Sequence, residues 1–441
     1  MYGMFAMNVI CAYPVNVDAV CNVSGSELSA LLPSGFVSAK AGLARSINGF
    51  EDVLSSLLFC MQQGSGAELL IDSQAAAHAI EKAFTWQYRL GGNAGIMANV
   101  LSDLGAVPVL NAPAIGARLA EMLHSGVRLP LSGKLVEPAR FLNEAQSCPE
   151  MMHFVFQFRK GDELALSQDK IIVSADNRFI ASYDSVNTRL LTSQHFDSYC
   201  LENISDFDGA LISGFHLAAP DEYRQIFMDR IKQLESWKRI NPDLFIHLEM
   251  GSFQSPPVMQ YLLDIISQTS VDSIGLNEDE LAAAMGPSSP FAPSLHSPAG
   301  RWQETMQGAK LMQKHLGIFR VAVHTRDFIL SIMDNGRIAA EDEMSALESG
   351  VNAASELAAT GSLKGKISLD ISSTGRRAVE EFRLMGASAT GRGAVQIIGS
   401  QIVSLTPALS VKEPRITVGL GDTATAAIFF AELLADKRKL A

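Results

Sequence analysis

After residue 200 the chain alternates between short apolar runs and longer stretches in which apolar residues recur every three or four positions. The short runs, at 209–214, 244–250, 273–276, 318–324 and 415–418, have the length and composition of buried strands. The stretches between them, at 221–237, 257–267, 304–315 and 341–359, carry the spacing of amphipathic helices. Alternation of this kind predicts a doubly wound α/β core, which takes its ligands at the carboxyl ends of its strands. A further apolar run at 8–13 reads as the first strand. Between 154 and 183 the pattern changes to alternating runs, FVFQF at 154–158 and KIIV at 170–173, broken by the turn residues KGD and ADN. Such runs predict antiparallel β structure. Helical spacing over 43–62 adds a helix to this region. The expected organisation is a core of 1–18, 91–129 and 201–441, with 19–90 and 130–200 forming a smaller inserted α+β lid domain. The Pro- and Ser-rich stretch at 286–298 is expected to be a surface loop.

Composition narrows the functional classes. A chain of 441 residues with 47% hydrophobic and 19% charged positions can bury a large core, so wholesale disorder is excluded. The formal charge of -12 argues against a nucleic-acid partner. Binding an anionic nucleotide would require the few cations, and Mg2+, to be gathered at one place. Cysteines 11, 21, 60, 148 and 200 are scattered, without the spacing of a zinc site or a disulfide framework. No Lys or Arg precedes Lys40, and no long uninterrupted apolar run occurs. A secretory leader and a transmembrane helix are therefore not expected, and the cytoplasm is the expected compartment.

The candidate chemistry lies at the ends of the predicted strands. In TVGLGDT at 417–423, Gly419 and Gly421 allow close backbone approach, and the helix that follows offers unpaired N–H groups to an anion. Asp422 at its mouth is expected to stay ionised and to accept a proton from a substrate hydroxyl; by itself the motif could equally be a helix cap. Alternation along 244–250 puts His247 and Glu249 on one face, where a carboxylate can hold a divalent cation directly or through water, or simply bind the histidine. Asn277 and Glu280 have capping-box spacing, which is compatible with Glu280 facing a cleft. GGNAG at 91–95 opens a helical run at 96–104, with Gly92 giving access to the backbone and Asn93 able to pair with hydroxyls. Asn16 and Asp18 follow the first strand, where turn chemistry competes with hydroxyl binding.

These stretches, together with HFVF at 153–156, NRFI at 177–180, SGFH at 213–216 and HT at 324–325, resemble the ADP-dependent sugar kinases. That family comprises glucokinases and 6-phosphofructokinases within the ribokinase-like superfamily. The resemblance runs over almost the whole chain. It implies a ribokinase-like core, a lid closing over the sugar, and Mg2+-dependent transfer of the β-phosphoryl of ADP to a sugar hydroxyl. Carried over motif by motif, Asp422 is the base, with Gly419 and Gly421 framing the anion hole. Glu249 and Glu280 organise the metal. Asn16, Asp18, Gly92 and Asn93 hold the sugar, while Asn277, His324, Thr325 and Gly421 line the nucleotide site.

Glucose-using relatives carry a Glu shortly before the GGN stretch, and the aligned residue here is read as Gln87. Arg159, Lys160 and Arg178 fall on predicted lid strands, where cations could grip a 6-phosphate. Fructose 6-phosphate is therefore the expected acceptor, with glucose as the alternative. A nucleoside or other small-molecule kinase of the same fold, and a non-catalytic sugar or nucleotide sensor, complete the alternatives. The expected partners are the sugar or sugar phosphate and ADP, for a monomer or small homo-oligomer.

Overall fold

The protein is seen in a computed structural model that describes residues 7–32, 41–144, 149–165, 170–286, 302–363 and 367–440. Its centre is a ten-stranded sheet. Six strands run parallel in the spatial order Val107–Leu110, Asn8–Ala12, Gly209–Ile212, Phe245–Glu249, Ser273–Asn277 and Arg320–His324. The sheet continues as an antiparallel extension of Phe328–Asp334, Gln401–Pro407, Gly393–Ile398 and Ser388–Thr390.

Pleating separates the two faces. Ile246, Leu248, Ile274, Val321, Val323, Leu330 and Leu405 point into one apolar cluster, which also takes in residues of Tyr223–Ile240, Pro256–Ile266, Trp302–Leu316 and Ser373–Leu384. The opposite face carries His247 and Glu249, then Ser273 and Gly275, then Arg320, Ala322 and His324 at matching register. Helices Ala340–Thr360 and Leu420–Leu440 reach this polar band through Glu343, Thr425 and Glu432.

A second, five-stranded sheet has the order Ala67–Leu70, Asn177–Tyr183, Met152–Phe158, Asn16–Asn22 and Gln87–Gly91. Its apolar face buries Val17, Ala19, Phe154, Phe156, Phe158 and Phe179 in a cluster with residues of helix Phe50–Gln63. The same cluster continues to Val9, Cys11 and Leu110 of the large sheet and to Phe429 of the last helix. The other face carries Asn16, Asp18, Arg89, His153, Gln157, Arg178 and Ser182 in paired rows. The α/β core with a smaller sheet is thus the expected class, and Met152–Phe158 runs antiparallel to Asn177–Tyr183 as the alternation predicts.

Three local expectations are corrected. Residues 415–418 form no strand; they belong to an irregular approach to the last helix, which begins at Leu420 rather than 423. The helix expected from 43 starts at Phe50, because extended Gly49 precedes it and Asp52 caps its first turn. Strand Asn16–Asn22 crosses the expected boundary at residue 18 and lies wholly in the smaller sheet. Residues 287–298 of the expected loop and Cys148 lie outside the described residues; Cys11, Cys21, Cys60 and Cys200 are buried free thiols.

Candidate active site

Helix Leu420–Leu440 begins where Gly419 adopts φ 74°, a conformation costly for any residue with a Cβ. Its first intrahelical bond runs from Thr423 N–H to the Gly419 carbonyl at 3.0 Å. The N–H groups of Leu420, Gly421 and Asp422 therefore have no helical acceptor and are free to face an anion. Asp422 sits in this first turn, half-buried, and its Oδ1 accepts a 2.6 Å bond from Asn93 Nδ2. Burial pushes the Asp422 carboxyl up to about 7, with the Glu249 and Glu280 charges adding to the rise, against the Asn93 bond and His324. The expectation of a permanently ionised carboxylate is thus corrected: loss of solvent outweighs the Asn93 bond and the His324 charge, and the group titrates near neutrality.

Strand Phe245–Glu249 delivers His247 and Glu249 to the same face, as alternation requires. Both oxygens of Glu249 meet polar side chains. Its Oε1 faces His324 Nε2 at 2.8 Å, and its Oε2 accepts from Thr425 Oγ1 at 2.9 Å and faces His247 Nε2 at 3.3 Å. Burial alone would raise its pKa, but the His324 charge and these bonds hold it well below the usual carboxylate range. Burial likewise opposes charge on His324, yet Glu249, with smaller contributions from Glu280 and Asp422, holds its imidazolium up at about 9. Two glycines make room for the pair. A Cβ at residue 275 would stand 2.1 Å from Glu249 Oε2, and one at residue 421 would stand 2.8 Å from His324 Cε1.

Asn277 and Glu280 form the expected capping box in both directions, each bond 2.9 Å long. Among the described residues Glu280 Oε1 meets only the Ser252 hydroxyl, at 3.4 Å. Burial, and then the Glu249 charge, push its pKa up. Asn277, His324, Thr325 and Gly421 line one cavity of about 810 Å³ beside Asp422, at the carboxyl ends of the strands as expected.

The smaller sheet contributes a second polar group. Asn16 Nδ2 donates to Asp18 Oδ1 at 2.8 Å, and Gly91 leaves the space that both side chains enter. Gly92, at φ 79° over the Pro14 carbonyl, caps the helix that starts at Asn93. The GGN stretch therefore joins the Asp18 group to Asp422. Gln87 is exposed on the edge strand and lines a second cleft of about 670 Å³ with Arg89, Arg159 and Arg415, which shares Thr417 with the first cavity. Arg178 is exposed in the cross-strand row Asn22, Gln157, Arg178. Lys160 is exposed on the following turn, where its main-chain N–H donates to Asp176 at 2.7 Å.

Several residues of this site escape a reading of the sequence. Glu68 accepts from Ser182 Oγ at 2.7 Å, and its charge reaches both His153 and His216. His153 is held by Asp184 at 2.8 Å. Burial disfavours its charge, but Asp184, Glu68 and Asp18 bring it up to about 9. His216, whose pKa burial lowers, feels Glu68, Glu249 and His153 together and so marks where the two sheets' polar groups meet. Only the HFVF and SGFH stretches pointed towards this place, and nothing local pointed to Glu68, Asp184 or Thr425.

Comparison with known proteins gives a consistent picture. The profile described as the ADP-specific Phosphofructokinase/Glucokinase conserved region matches residues 7–431. The ADP-dependent glucose/glucosamine kinase of Pyrococcus furiosus is 26% identical, covering 96% of this chain and 94% of its own. The ADP-specific phosphofructokinase of Methanosarcina acetivorans is 27% identical, with coverage of 99% and 94%. Among solved structures, an ADP-dependent kinase in complex with fructose-6-phosphate and ADPbetaS superposes with a TM-score of 0.79 at 22% identity, covering 98% of this chain and 94% of that one.

Proposed function

Because the chain belongs to the ADP-specific phosphofructokinase/glucokinase family, we propose that it transfers the β-phosphoryl of ADP to a sugar hydroxyl. Fructose 6-phosphate is the acceptor in this reading, and fructose 1,6-bisphosphate and AMP are the products, a step of glycolysis. The observation that carries the reaction type is the Asp422 carboxylate, titrating near neutrality in the first turn of a helix whose leading N–H groups are free. Asp422 takes the proton of the attacking hydroxyl. The free N–H groups of residues 420–422 face the transferring group and stabilise its charge. Asn16, Asp18 and Asn93 hold and aim the sugar, and the cavity lined by Asn277, His324 and Thr325 receives the nucleotide. Enclosure by the smaller sheet keeps water from the donor.

Two acidic groups beside the nucleotide cavity suit Mg2+: among the described residues Glu280 keeps an oxygen with a single long contact, and its pKa is raised first by burial and then by the neighbouring Glu249 charge. A cation would relieve that repulsion. Both Glu249 oxygens already accept from the protein, so Glu249 would reach the ion through water and Glu280 would be the nearer partner. When bound, the ion neutralises charge on the diphosphate. Among the described residues no three His, Cys, Asp or Glu side chains form a ready-made metal cluster. No described helix is long and apolar enough to cross a membrane.

Arg89, Arg159 and Arg415 around the cleft beside Gln87 support an acceptor bearing a phosphate. Glu68 favours a second reading, in which glucose is the acceptor: it adds a carboxylate to the polar face that carries Asp18 and His153, and a carboxylate accepts from hydroxyls. The test is AMP release from ADP with fructose 6-phosphate and with glucose, alongside ADP release from ATP with the same two acceptors. Release of AMP with neither sugar would overturn the function. Faster turnover of glucose, lost selectively in Glu68→Gln, would move the acceptor to the second reading.

A further inference from the structure

Behind Glu249 runs a buried chain of polar groups that the transfer reaction does not itself explain. Ser273 is wholly buried, and its hydroxyl oxygen meets two groups: Arg320 Nε at 3.0 Å and His247 Nδ1 at 2.9 Å. Arg320 is also buried, between Glu343 at 3.5 Å and Glu432, which come from the two helices covering this face of the sheet. Three adjacent strands place these groups side by side, with His247 opposite Ser273 and Ser273 opposite Arg320.

The direction of each hydrogen bond follows from what each group can do. A guanidinium only donates, so the Ser273 oxygen accepts from Arg320. The one hydroxyl hydrogen then needs an acceptor, and in a dry interior leaving it unmade is costly. Among the described residues His247 Nδ1 is the acceptor within reach. An imidazole whose Nδ1 accepts carries its hydrogen on Nε2. From the other end the same form is required, because His247 Nε2 faces Glu249 Oε2 at 3.3 Å and a carboxylate only accepts. Two independent constraints therefore select one tautomer.

We propose that Ser273 is a positioning residue for the transfer: oriented by Arg320, its hydroxyl fixes His247 in the Nε2–H form, and His247 then donates to Glu249. All the groups around Glu249 are thereby donors, and its carboxylate is held in one orientation against His324 and Thr425. The helix that carries Thr425 also carries Asp422, one turn earlier, so the chain of bonds ties the base's helix to three strands of the sheet.

The kinetic arm of the test rests on the proposed phosphoryl transfer, whereas the spectroscopic arm is read in the resting protein and needs no turnover. In the full chain labelled with ¹⁵N-histidine, the His247 signal, assigned by its loss in His247→Gln, should show a protonated Nε2 and an unprotonated Nδ1. In Ser273→Ala only the longer Glu249 contact is left to select the tautomer, so an Nδ1–H population should become detectable beside the Nε2–H form, with kcat lowered about tenfold and both KM values within about twofold of the parent. Ser273→Thr, which keeps the hydroxyl, should restore both the tautomer and kcat. A glutamine at 247 presents an N–H donor to Glu249 without help from Ser273. In that background Ser273→Ala should therefore lower kcat no further. A protonated Nδ1 in the parent protein overturns the proposal. So does an equal loss from Ser273→Ala in both backgrounds, which would mean that the serine acts through packing alone.

Discussion

Removing the Asn93 amide offers the sharpest test of the proposed chemistry. Asn93 Nδ2 lies 2.6 Å from Asp422 Oδ1, and its bond favours the ionised carboxylate, opposing the burial that lifts the pKa to about 7. A hydrogen bond to a charged group is worth about 1.5–3 kcal/mol. One pKa unit corresponds to about 1.4 kcal/mol, so Asn93→Ala should raise the Asp422 pKa by roughly one to two units. At about pH 7 the ionised fraction would fall from near one half to between a tenth and a hundredth, lowering turnover roughly 5- to 50-fold. Raising the pH to about 9 should return most of this loss, because the carboxylate is then ionised again. The assay is initial AMP release at saturating ADP and sugar across that range, fitted for the acid limb of kcat. Loss of the Asn93 carbonyl from the sugar site would appear separately, as a KM increase independent of pH. An acid limb that stays in place while kcat falls equally at every pH would refute the reasoning, since Asn93 would then not act through the protonation of Asp422.

Asp422→Asn should cost about 10²–10⁴ in kcat while calorimetry finds ADP still bound, because only the proton acceptor is lost. In Gly421→Ala the new methyl would stand 2.8 Å from His324 Cε1, displacing the ring from Glu249. Steady-state kinetics should show a fall in kcat of about ten- to a hundredfold, with the thermal midpoint little changed. His153 and His324 both have folded pKa values of about 9, above the usual value for histidine. The stability they add is complete below about pH 6.5 and is lost as pH rises through about 9, so the melting temperature should fall across that interval. Asp184→Asn should flatten part of this dependence by removing the partner of His153, which pH-resolved thermal melts would show.

The parts of the site that could be read from the sequence are those whose geometry is local. His247 and Glu249 share a face because two residues along a strand must do so, and Asn277 caps Glu280 because three residues into a helix the reach is fixed. The antiparallel extension was harder to see: in Gln401–Pro407 nearly every residue is buried on one face or the other, which erases the alternation that marks a half-exposed strand. The run at 415–418 misleads for the opposite reason, being apolar enough for a strand while serving as the wall of a cleft. Asp422 shows the limit most clearly. Its place at a helix start follows from two glycines, but its pKa depends on burial and on Asn93 and Glu249, both far away in the chain.

The apolar cluster that joins the smaller sheet to the large one also governs how the molecule comes apart. Val17, Phe154 and Phe179 share a water-free interior with Val9, Leu110 and Phe429. Peeling one sheet from the other would wet that whole surface at once, so heat should melt both in a single cooperative transition. For the same reason, any swing of the smaller sheet over a substrate must pivot about this seam, sliding side chains across one another without prising them apart.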